Sequence, residues 1–418
     1  MKIPVNPLKS LSQFFKYLLL SLLLTTTAVF AAGEVANGLS VTNPVSAATS
    51  NAPTILPDHM IIPPAPDLNA TGYVLMDANS GQILAQKNMD QRMQPASLTK
   101  LMTLYIVANA LKNGQIHLDD KVRISAKAWK TGGSKMFVKV GTFVTVQELI
   151  QGVIVDSGND ACTALAEYIA GTNDAFAQIM NQTAQYLGMT NTHYVDPTGL
   201  PAPEHYSTPH DMAILARAII NDFPEYYSWY DQKWFTYDGI RQPNRNRLLW
   251  RDPSVDGMKT GHTDEAGYCL VASAQRSGMR LIAVTMGSPS DEARNADDEA
   301  LLNYGFRYFE THKLYNANTP VVTTRIWLGK ESHLALGVLQ DLYVTIPTNE
   351  YQNLKANTTI SNPIKAPVSK GQALGKVDIT LNGNLITSSP LVALNDDPKG
   401  GWWTRMWDHL ALFFKKIF

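Results

Sequence analysis

The chain has 418 residues, 45% hydrophobic and 17% charged, which excludes a disordered or fibrous protein and allows a substantial core. Its 35 basic and 36 acidic side chains give a net charge of −1, so the charge balance does not support a nucleic-acid partner. The length is sufficient for two or three domains.

The amino terminus has the pattern of a secretory signal peptide. Lysines precede an apolar run at residues 17–24, and small residues, including Ala31 and Ala32, follow it. The run is shorter than the ~20 residues that a membrane span needs. Residues 1–32 are therefore predicted to be a cleaved signal peptide, with an uncleaved anchor as the alternative, and either implies export. Residues 33–60 are nearly uncharged and rich in Ala, Asn, Thr, Val and Ser, which predicts a linker.

The first folded domain is predicted at residues 61–313 and begins with strands at 72–77 and 83–86. Apolar residues then recur at helical spacing after Pro95, which places Ser97 in the first turn of a helix. Backbone N–H groups there are unpaired, and the helix dipole favours developing negative charge.

Helices and strands alternate through the rest of this domain. Asp160 is placed to cap one of the helices. Because strands occur at both ends with helices between them, we predict one sheet built from the two ends of the domain and covered by helices. Helices are predicted at 145–155, 161–169, 174–187, 210–221 and 292–308, and strands at 267–274 and 279–286.

Two further segments follow. Short β-rich runs separated by Gly, Pro, Asn and Lys predict a small all-β domain at 314–398. Residues 401–418 form an amphipathic helix whose Trp, Leu and Phe side chains share one face, which favours a helix lying in a membrane interface. The alternative is a helix docked on the body of the protein. The β-rich runs lie at 320–327, 334–339, 342–347, 358–361 and 376–381.

Three short strings carry the chemistry: PASLTK at residues 95–100, DSGND at 156–160 and MKTGHT at 258–263. A serine hydroxyl needs a base to become a nucleophile. Lys100 follows Ser97 by three residues and therefore faces the same side of the helix. Burial and a neighbouring cation, for which Lys259 is the candidate, would lower the Lys100 pKa and leave a neutral amine.

The other two strings supply the remaining parts of an acyl-transfer site. Ser157 is expected to relay a proton, and Asn159 to hold a substrate carbonyl and orient Lys100; a simple turn is the alternative. Thr260, with Lys259, can bind a carboxylate, and Gly261 allows a substrate backbone to approach. The backbone N–H groups of Ser97 and His262 are the candidates for an oxyanion hole.

Other features are interpreted as structural. Cys162 and Cys269 are predicted to be buried free thiols rather than a disulfide. Glu299 belongs to an E-x-x-L-N string that follows the K-T-G string, so it is assigned to an amphipathic helix. Three histidines lack tight ligand spacing and are interpreted as surface or capping residues, and no metal or cofactor is predicted. An arginine cluster could attract a substrate carboxylate or form a solvated positive face. The histidines are His193, His205 and His210, and the arginines are Arg241, Arg245 and Arg247.

The three strings in this order resemble the S-x-x-K, S-D-N and K-T-G set of penicillin-binding proteins and class A β-lactamases. The S-G-N form and stretches such as IQGVIVDSGNDAC and VDGMKTGHTDEAGY resemble the D-alanyl-D-alanine carboxypeptidases of the penicillin-binding protein 5 type, over roughly residues 62–394. The resemblance implies an α/β (α+β) fold: a β-lactamase- and transpeptidase-like catalytic domain, a small all-β domain and a carboxy-terminal amphipathic helix.

The same resemblance implies a function. Ser97, Lys100 and Ser157 would be catalytic, and residues 259–262 with Asn159 would bind substrate. The enzyme would remove the terminal D-alanine from peptidoglycan pentapeptides, with β-lactams as covalent inhibitors. It would be periplasmic and held at the inner-membrane surface by its last helix. A D,D-endopeptidase, a weak β-lactamase and a non-catalytic penicillin-binding scaffold are the alternatives.

Overall fold

The computed structural model describes residues 62–417. The predicted signal peptide and linker lie outside the described residues. In the first part of the described chain, the two predicted amino-terminal strands and the long helices are confirmed to within two residues at each end. The strands of this part are β1 (Gly72–Asp77), β2 (Ile83–Lys87), β3 (Lys121–Arg123), β4 (Phe143–Thr145), β5 (Trp234–Tyr237), β6 (Ile240–Pro243), β7 (Val255–Thr263), β8 (Gly267–Arg276) and β9 (Met279–Ser288). Its helices are α1 (Lys100–Lys112), α2 (Ala126–Lys130), α3 (Val146–Ile154), α4 (Asn159–Ala170), α5 (Asn173–Tyr186), α6 (Pro209–Asp222), α7 (Pro224–Tyr227), α8 (Leu248–Arg251) and α9 (Asp291–Tyr308).

One antiparallel sheet organises this part of the molecule, with strand order β2-β1-β9-β8-β7. Gly72 of β1 pairs with Met286 of β9, which confirms that the two ends of the domain build the sheet. All six residues of β1 are buried because both faces of the sheet are covered. On one face, Leu75 and Leu281 pack with Leu301 of α9. The opposite face packs against the helical layer that contains α1, α4 and α6.

Helix α4 begins two residues earlier than predicted, and Asp160 does not cap it. Gly158 occupies the N-cap position. The Asp160 carboxylate instead accepts hydrogen bonds from the backbone N–H groups of Met136, Phe137 and Val138, at 2.8–3.1 Å. This carboxylate therefore fixes the loop before β4 onto the first turn of α4, because three charge-assisted bonds outweigh the single bond that a cap would make.

The K-T-G string lies within the edge strand β7, which the sequence did not predict as a strand. The hairpin β5–β6 was also not predicted. Both segments are poor in the alternation of apolar and polar residues by which a strand is detected in sequence.

The carboxy-terminal part is all-β, as predicted. Its main sheet has the order β14-β16-β17-β12-β11-β15, while β10 pairs with β13. Strands β10 and β17 were not predicted, although Asn382-Gly383 between β16 and β17 is a typical hairpin turn with positive φ at both residues. The strands are β10 (Phe309–Tyr315), β11 (Pro320–Trp327), β12 (His333–Gly337), β13 (Leu342–Pro347), β14 (Leu354–Ile360), β15 (Ile364–Lys365), β16 (Ala373–Leu381) and β17 (Asn384–Ala393).

Asp77, at the end of β1, joins the two parts of the described chain. Its buried carboxylate accepts hydrogen bonds from the Ser80 hydroxyl at 3.0 Å and from the Thr311 hydroxyl of β10 at 2.6 Å. The hydroxyls of Ser80 and Thr345 of β13 lie 2.6 Å apart. A polar network of four side chains therefore connects the central sheet to the β domain.

The chain ends in helix α10 (Trp402–Ile417). Among residues 62–417, no helix is both long and apolar enough to cross a membrane. The helix presents large apolar side chains to solvent, as expected for an amphipathic segment with its apolar face unpartnered: Trp402, Trp403, Met406, Trp407, Leu410, Phe413 and Phe414.

Candidate active site

Ser97 lies in a 3-10 turn, Ala96–Thr99, directly before α1. The Lys100 ammonium donates a hydrogen bond to the Ser97 hydroxyl at 2.8 Å. Lys100 is completely buried, whereas Ser97 is only partly buried. The pair therefore places a hydroxyl at the surface of the site, with a buried amine behind it.

The loop at residues 195–200 supplies a second contact to this amine that the sequence analysis did not identify. Lys100 donates to the Thr198 backbone carbonyl at 2.6 Å. The Asp196 carboxylate holds the loop by accepting from the Thr198 and Gly199 backbone N–H groups at 2.6 and 3.0 Å. The Asp-Pro-Thr-Gly sequence indicates a tight turn, but only the fold shows where its carbonyl points.

Gly199 has to be glycine at this position. Its φ is +81°, in the left-handed region, and a Cβ atom would lie 1.9 Å from the Ala96 carbonyl oxygen. The absence of a side chain therefore allows the loop to pack directly on the turn that carries Ser97.

The second string places another serine beside another lysine. Lys259 of β7 donates to the Ser157 hydroxyl at 2.9 Å and to the Thr260 carbonyl at 2.9 Å. Ser157 is buried and has a φ of +57°, a strained conformation for a residue with a Cβ atom. The site thus contains two serine–lysine pairs, one from the turn before α1 and one formed between the 156–160 loop and β7.

Burial is the largest influence on the pKa values of the two lysines. Burial lowers the pKa of Lys100 to about 8, opposed mainly by Cys162 and Asp196, and the Arg245 guanidinium lowers it further. The pKa of Lys259 is lowered well below its usual value, first by burial and then by the nearby Lys100 ammonium. We expected the Lys259 cation to lower the pKa of Lys100. Instead, the Lys100 ammonium lowers the pKa of Lys259, because Lys259 is the more difficult of the two amines to protonate.

Asn159 lies at the start of α4, in contact with the preceding loop. Its amide donates to the Gly132 carbonyl at 2.7 Å, and its Oδ1 atom is buried and accepts no hydrogen bond from any described residue. The expected contact with Lys100 is not among the hydrogen bonds of the described residues. A buried carbonyl oxygen without a donor is an uncommon arrangement that a bound ligand could satisfy.

Strand β7 brings the third string against the turn that carries Ser97. Thr260 is buried, and a Cβ atom on Gly261 would lie 2.9 Å from the Pro95 carbonyl oxygen and 3.2 Å from the Ser97 nitrogen. The glycine therefore permits close packing of β7 on the Ser97 turn, in addition to any approach by a substrate. The His262 ring is exposed and stacks on Tyr268, with ring centroids 4.0 Å apart.

Of the three clustered arginines, Arg245 alone influences the site lysines. Arg247 forms an ion pair with Asp291 at 2.9 Å, and Arg241 lies over the ring of Trp234. Burial raises the pKa of Asp156, which precedes Ser157, to about 7, while Arg245 lowers it and Asp160 raises it. All three arginines are exposed, and Arg245 differs from the other two in its influence on the lysines of the site.

The other sequence features have structural roles. Cys162 and Cys269 are free and buried, as predicted, and Glu299 lies in α9. We expected His205 to be a surface or capping residue. It is instead buried, with its Nε2 atom 2.8 Å from the Thr99 hydroxyl.

Comparison with known proteins decides the family. Residues 60–290 match the profile of the D-alanyl-D-alanine carboxypeptidase family, and residues 309–399 match that of the carboxy-terminal domain of penicillin-binding protein 5. The chain belongs to the D-alanyl-D-alanine carboxypeptidase family. It is a serine D-alanyl-D-alanine carboxypeptidase of the penicillin-binding protein 5 type, and thus a cell-wall hydrolase.

Individual relatives match the carboxypeptidase over most of its length. The D-alanyl-D-alanine carboxypeptidase DacC of Escherichia coli strain K12 is 46% identical over 362 residues, which cover 85% of this chain and 90% of DacC. The crystal structure of penicillin-binding protein 5 from Haemophilus influenzae superimposes with a TM-score of 0.77 at 46% identity, covering 80% of this chain and 99% of that one. An ampicillin-bound structure of penicillin-binding protein D2 from Listeria monocytogenes matches with a TM-score of 0.53 at 31% identity, over 57% of this chain and 98% of that one.

Proposed function

We propose that the carboxypeptidase removes the terminal D-alanine of peptidoglycan pentapeptides through an acyl-enzyme on Ser97. The observation that carries the proposal is the 2.8 Å hydrogen bond between the partly exposed Ser97 hydroxyl and the fully buried Lys100. A lysine with a pKa of about 8 is neutral in an appreciable fraction of molecules near neutral pH, as a general base must be.

In the acylation step, the neutral Lys100 amine takes the Ser97 proton while Oγ attacks the carbonyl carbon of the penultimate D-alanine. The carbonyl oxygen becomes an oxyanion, and the backbone N–H groups of Ser97 and His262 are the proposed donors to it. Collapse of this intermediate breaks the peptide bond. The proton that Lys100 took from Ser97 is relayed through the Ser157 hydroxyl to the departing amine, which leaves Lys100 neutral again. Lys259, which already donates to the Ser157 hydroxyl, supports this transfer.

Deacylation repeats the chemistry with water as the nucleophile. The freed Lys100 amine accepts a proton from water, the ester to Ser97 breaks, and Oγ recovers its proton. Thr260 is proposed to bind the carboxylate of the substrate's last residue through its hydroxyl. Lys259 is proposed to bind it as the ammonium, a form that the arriving carboxylate stabilises by raising the lysine pKa. Asn159 is proposed to hold a backbone group of the peptide, for which its unpartnered Oδ1 atom is available.

We also propose that β-lactams acylate the same serine. The ampicillin-bound Listeria relative supports this, because it shares the fold of the catalytic part at 31% identity. A β-lactam carbonyl would be attacked by the same hydroxyl, and its carboxylate would take the place of the peptide carboxylate.

Location is a further part of the proposal: the enzyme acts in the periplasm, attached peripherally to the inner membrane through α10. Exposed tryptophan and phenylalanine side chains on this helix and the lysines Lys415 and Lys416 support it. Deletion of residues 401–418 should release the protein from the membrane fraction of fractionated cells. Continued firm attachment of the truncated protein would contradict this part of the proposal.

The decisive experiment is D-alanine release from a peptide ending in Lys-D-Ala-D-Ala, measured for the wild type, Ser97→Ala and the control Ser361→Ala. Ser361 is an exposed serine of the β domain, so its removal tests the loss of a hydroxyl away from the site. We expect release by the wild type and the control, and none above background in Ser97→Ala. Release that persists in Ser97→Ala would refute the assignment of the nucleophile. A wild type that forms a penicilloyl adduct but cleaves only cross-linked dimers would establish the endopeptidase alternative.

A further inference from the structure

Asp408 makes the hydrogen bonds that join the side chains of helix α10 to the β domain. Asp408 is almost fully buried although its neighbours on the helix are exposed. Its carboxylate accepts a hydrogen bond from the Leu328 backbone N–H at 2.6 Å and one from the Arg325 guanidinium at 3.1 Å. Charge-assisted bonds of this length are among the stronger hydrogen bonds in proteins.

Leu328 is the point of attachment on the β domain. While its N–H donates to Asp408, its carbonyl accepts a hydrogen bond from the Gly400 N–H at 2.8 Å, just before the helix. Its φ is +63°, a conformation that a leucine keeps only where its surroundings determine it. The two polar groups of one strained residue therefore hold the helix at two points, eight residues apart.

The buried and exposed residues of the helix lie on opposite sides. Asp408 and Leu412 are one turn apart, and Leu412 is partly buried. One turn further on, the Lys415 ammonium lies 5.9 Å from the centre of the Trp327 ring of the β domain. Trp403, Met406, Trp407, Leu410 and Phe414 occupy the opposite side at helical spacing and are 38–66% exposed.

We propose that Asp408 and the Leu328 backbone form a latch that holds α10 against the β domain with its aromatic side outward. The helix and the β domain then bind a bilayer as one rigid surface, in one orientation, and not through a flexible tether. This inference rests on the membrane attachment proposed above and adds how that attachment fixes the position of the enzyme. Lys415 lies on the docked side with Asp408, over the Trp327 ring, so it adds to the contact with the β domain and leaves the aromatic side free for the bilayer.

The test is a distance measurement between spin labels at Lys355→Cys on the β domain and Lys416→Cys on the helix. Both native side chains are exposed, and the two native cysteines are completely buried. We expect one narrow distance distribution, in solution and on vesicles of phosphatidylethanolamine and phosphatidylglycerol. Asp408→Ala should broaden it, because loss of a charge-assisted hydrogen bond lowers the ratio of docked to undocked helix by about tenfold or more.

His409→Ala is the matched control, since His409 is the exposed neighbour of Asp408 on the same helix. It should leave the distribution narrow, and D-alanine release by both variants should match the wild type if each is folded. A distribution that is already broad in the wild type, or one unchanged by Asp408→Ala, would overturn the latch.

Co-sedimentation with the same vesicles separates this inference from the membrane proposal. Trp407→Glu should abolish co-sedimentation while the distance distribution in solution stays narrow. Asp408→Ala should still co-sediment, because the aromatic side is intact. A wild type that does not co-sediment would overturn the membrane proposal and, with it, the fixed orientation on a bilayer.

Discussion

Lys100 connects the structure of the site to its pH dependence. In the proposed mechanism its amine must be neutral to accept the Ser97 proton, and burial has lowered its pKa to about 8. As pH rises through this value the neutral fraction grows. We therefore expect the rate of acylation by a chromogenic β-lactam to increase from about pH 6.5 and to level off above about pH 9, roughly one pH unit beyond the pKa.

Lys100→Arg provides the matched test of this interpretation. Arginine keeps the charge and most of the length but stays protonated at every accessible pH. Acylation should fall by about 10²–10⁴-fold, the usual contribution of a general base, at all pH values. A flat wild-type profile, or an arginine variant that acylates normally at high pH, would rule out Lys100 as the base.

Arg245 is expected to tune the same amine. It lowers the pKa of Lys100, so Arg245→Gln should raise that pKa and move the acid limb of the pH profile upward. At pH 7 the acylation rate should then fall by about two- to fivefold, because less of the lysine is neutral. Arg241→Gln is the control, since Arg241 lies over Trp234. Equal effects of the two substitutions would indicate a general change in surface charge.

At the residue scale, sequence reasoning found the groups that carry recognisable chemistry. The strings around Ser97, Ser157 and Lys259 could be predicted because serine, lysine and glycine recur there at spacings that the chemistry requires. The contact between the Thr198 carbonyl and Lys100 could not be predicted from the sequence, because every residue has a carbonyl and only the fold directs this one at the lysine. The difference in role between Arg245 and its two neighbours likewise depends on the contacts that each side chain makes in the folded protein.

Among the elements, the loop at residues 195–200 shows how strictly packing constrains the site. Gly199→Ala would place a Cβ atom 1.9 Å from the Ala96 carbonyl oxygen and would also keep a left-handed φ. We expect a loss of about 2–5 kcal/mol in the free energy of unfolding, from overpacking and backbone strain together, and slower acylation.

Gly188→Ala isolates the conformational part of this effect. Gly188 has the same φ of +81°, but nothing lies within 4 Å of the position of its Cβ. The variant should therefore lose only about 1–2 kcal/mol, the strain of a left-handed alanine. Urea denaturation of both variants measures the difference, and equal losses would show that the contact with Ala96 relaxes at little cost.

The elements that could be predicted from sequence are those with a long regular period. Helices α5 and α6 show sustained apolar periodicity. Helices α5, α6 and α9 also begin at capping residues, which are Thr172, Thr208 and Ser290. Strand β10 was not predicted because Phe309–Tyr315 continues directly from α9 without a turn signal. Strand β7 contains two glycines and alternates weakly, so its pairing with β8 and its packing on Ser97 determine its conformation.

For the whole molecule, Asp77 and its partners couple the catalytic part to the β domain. Thr311→Val removes the hydroxyl that donates to the buried Asp77 carboxylate at 2.6 Å. The free energy of unfolding should fall by about 1–3 kcal/mol, the usual effect of losing a hydrogen bond to a charged group. Because this bond lies between the two parts, we expect their calorimetric transitions to separate.

Thr323→Val is the control for this prediction, since Thr323 is an exposed threonine in β11. It should shift the transition little, because valine suits a strand as well as threonine does. A single cooperative transition in Thr311→Val, with an unchanged midpoint, would show that the junction contributes nothing to coupling.

The pairing of β1 with β9 also has a consequence for synthesis. Strand β1 ends at Asp77, but its central neighbour β9 is complete only at Ser288. At ribosomal rates of about 5–20 residues per second, on the order of 10–40 s pass between the two. During that interval the sheet lacks its middle strand, so the native sheet and the core that packs on it cannot form. Such long-range contacts make folding slow. The periplasmic location proposed above requires export before folding, and this topology would supply the delay.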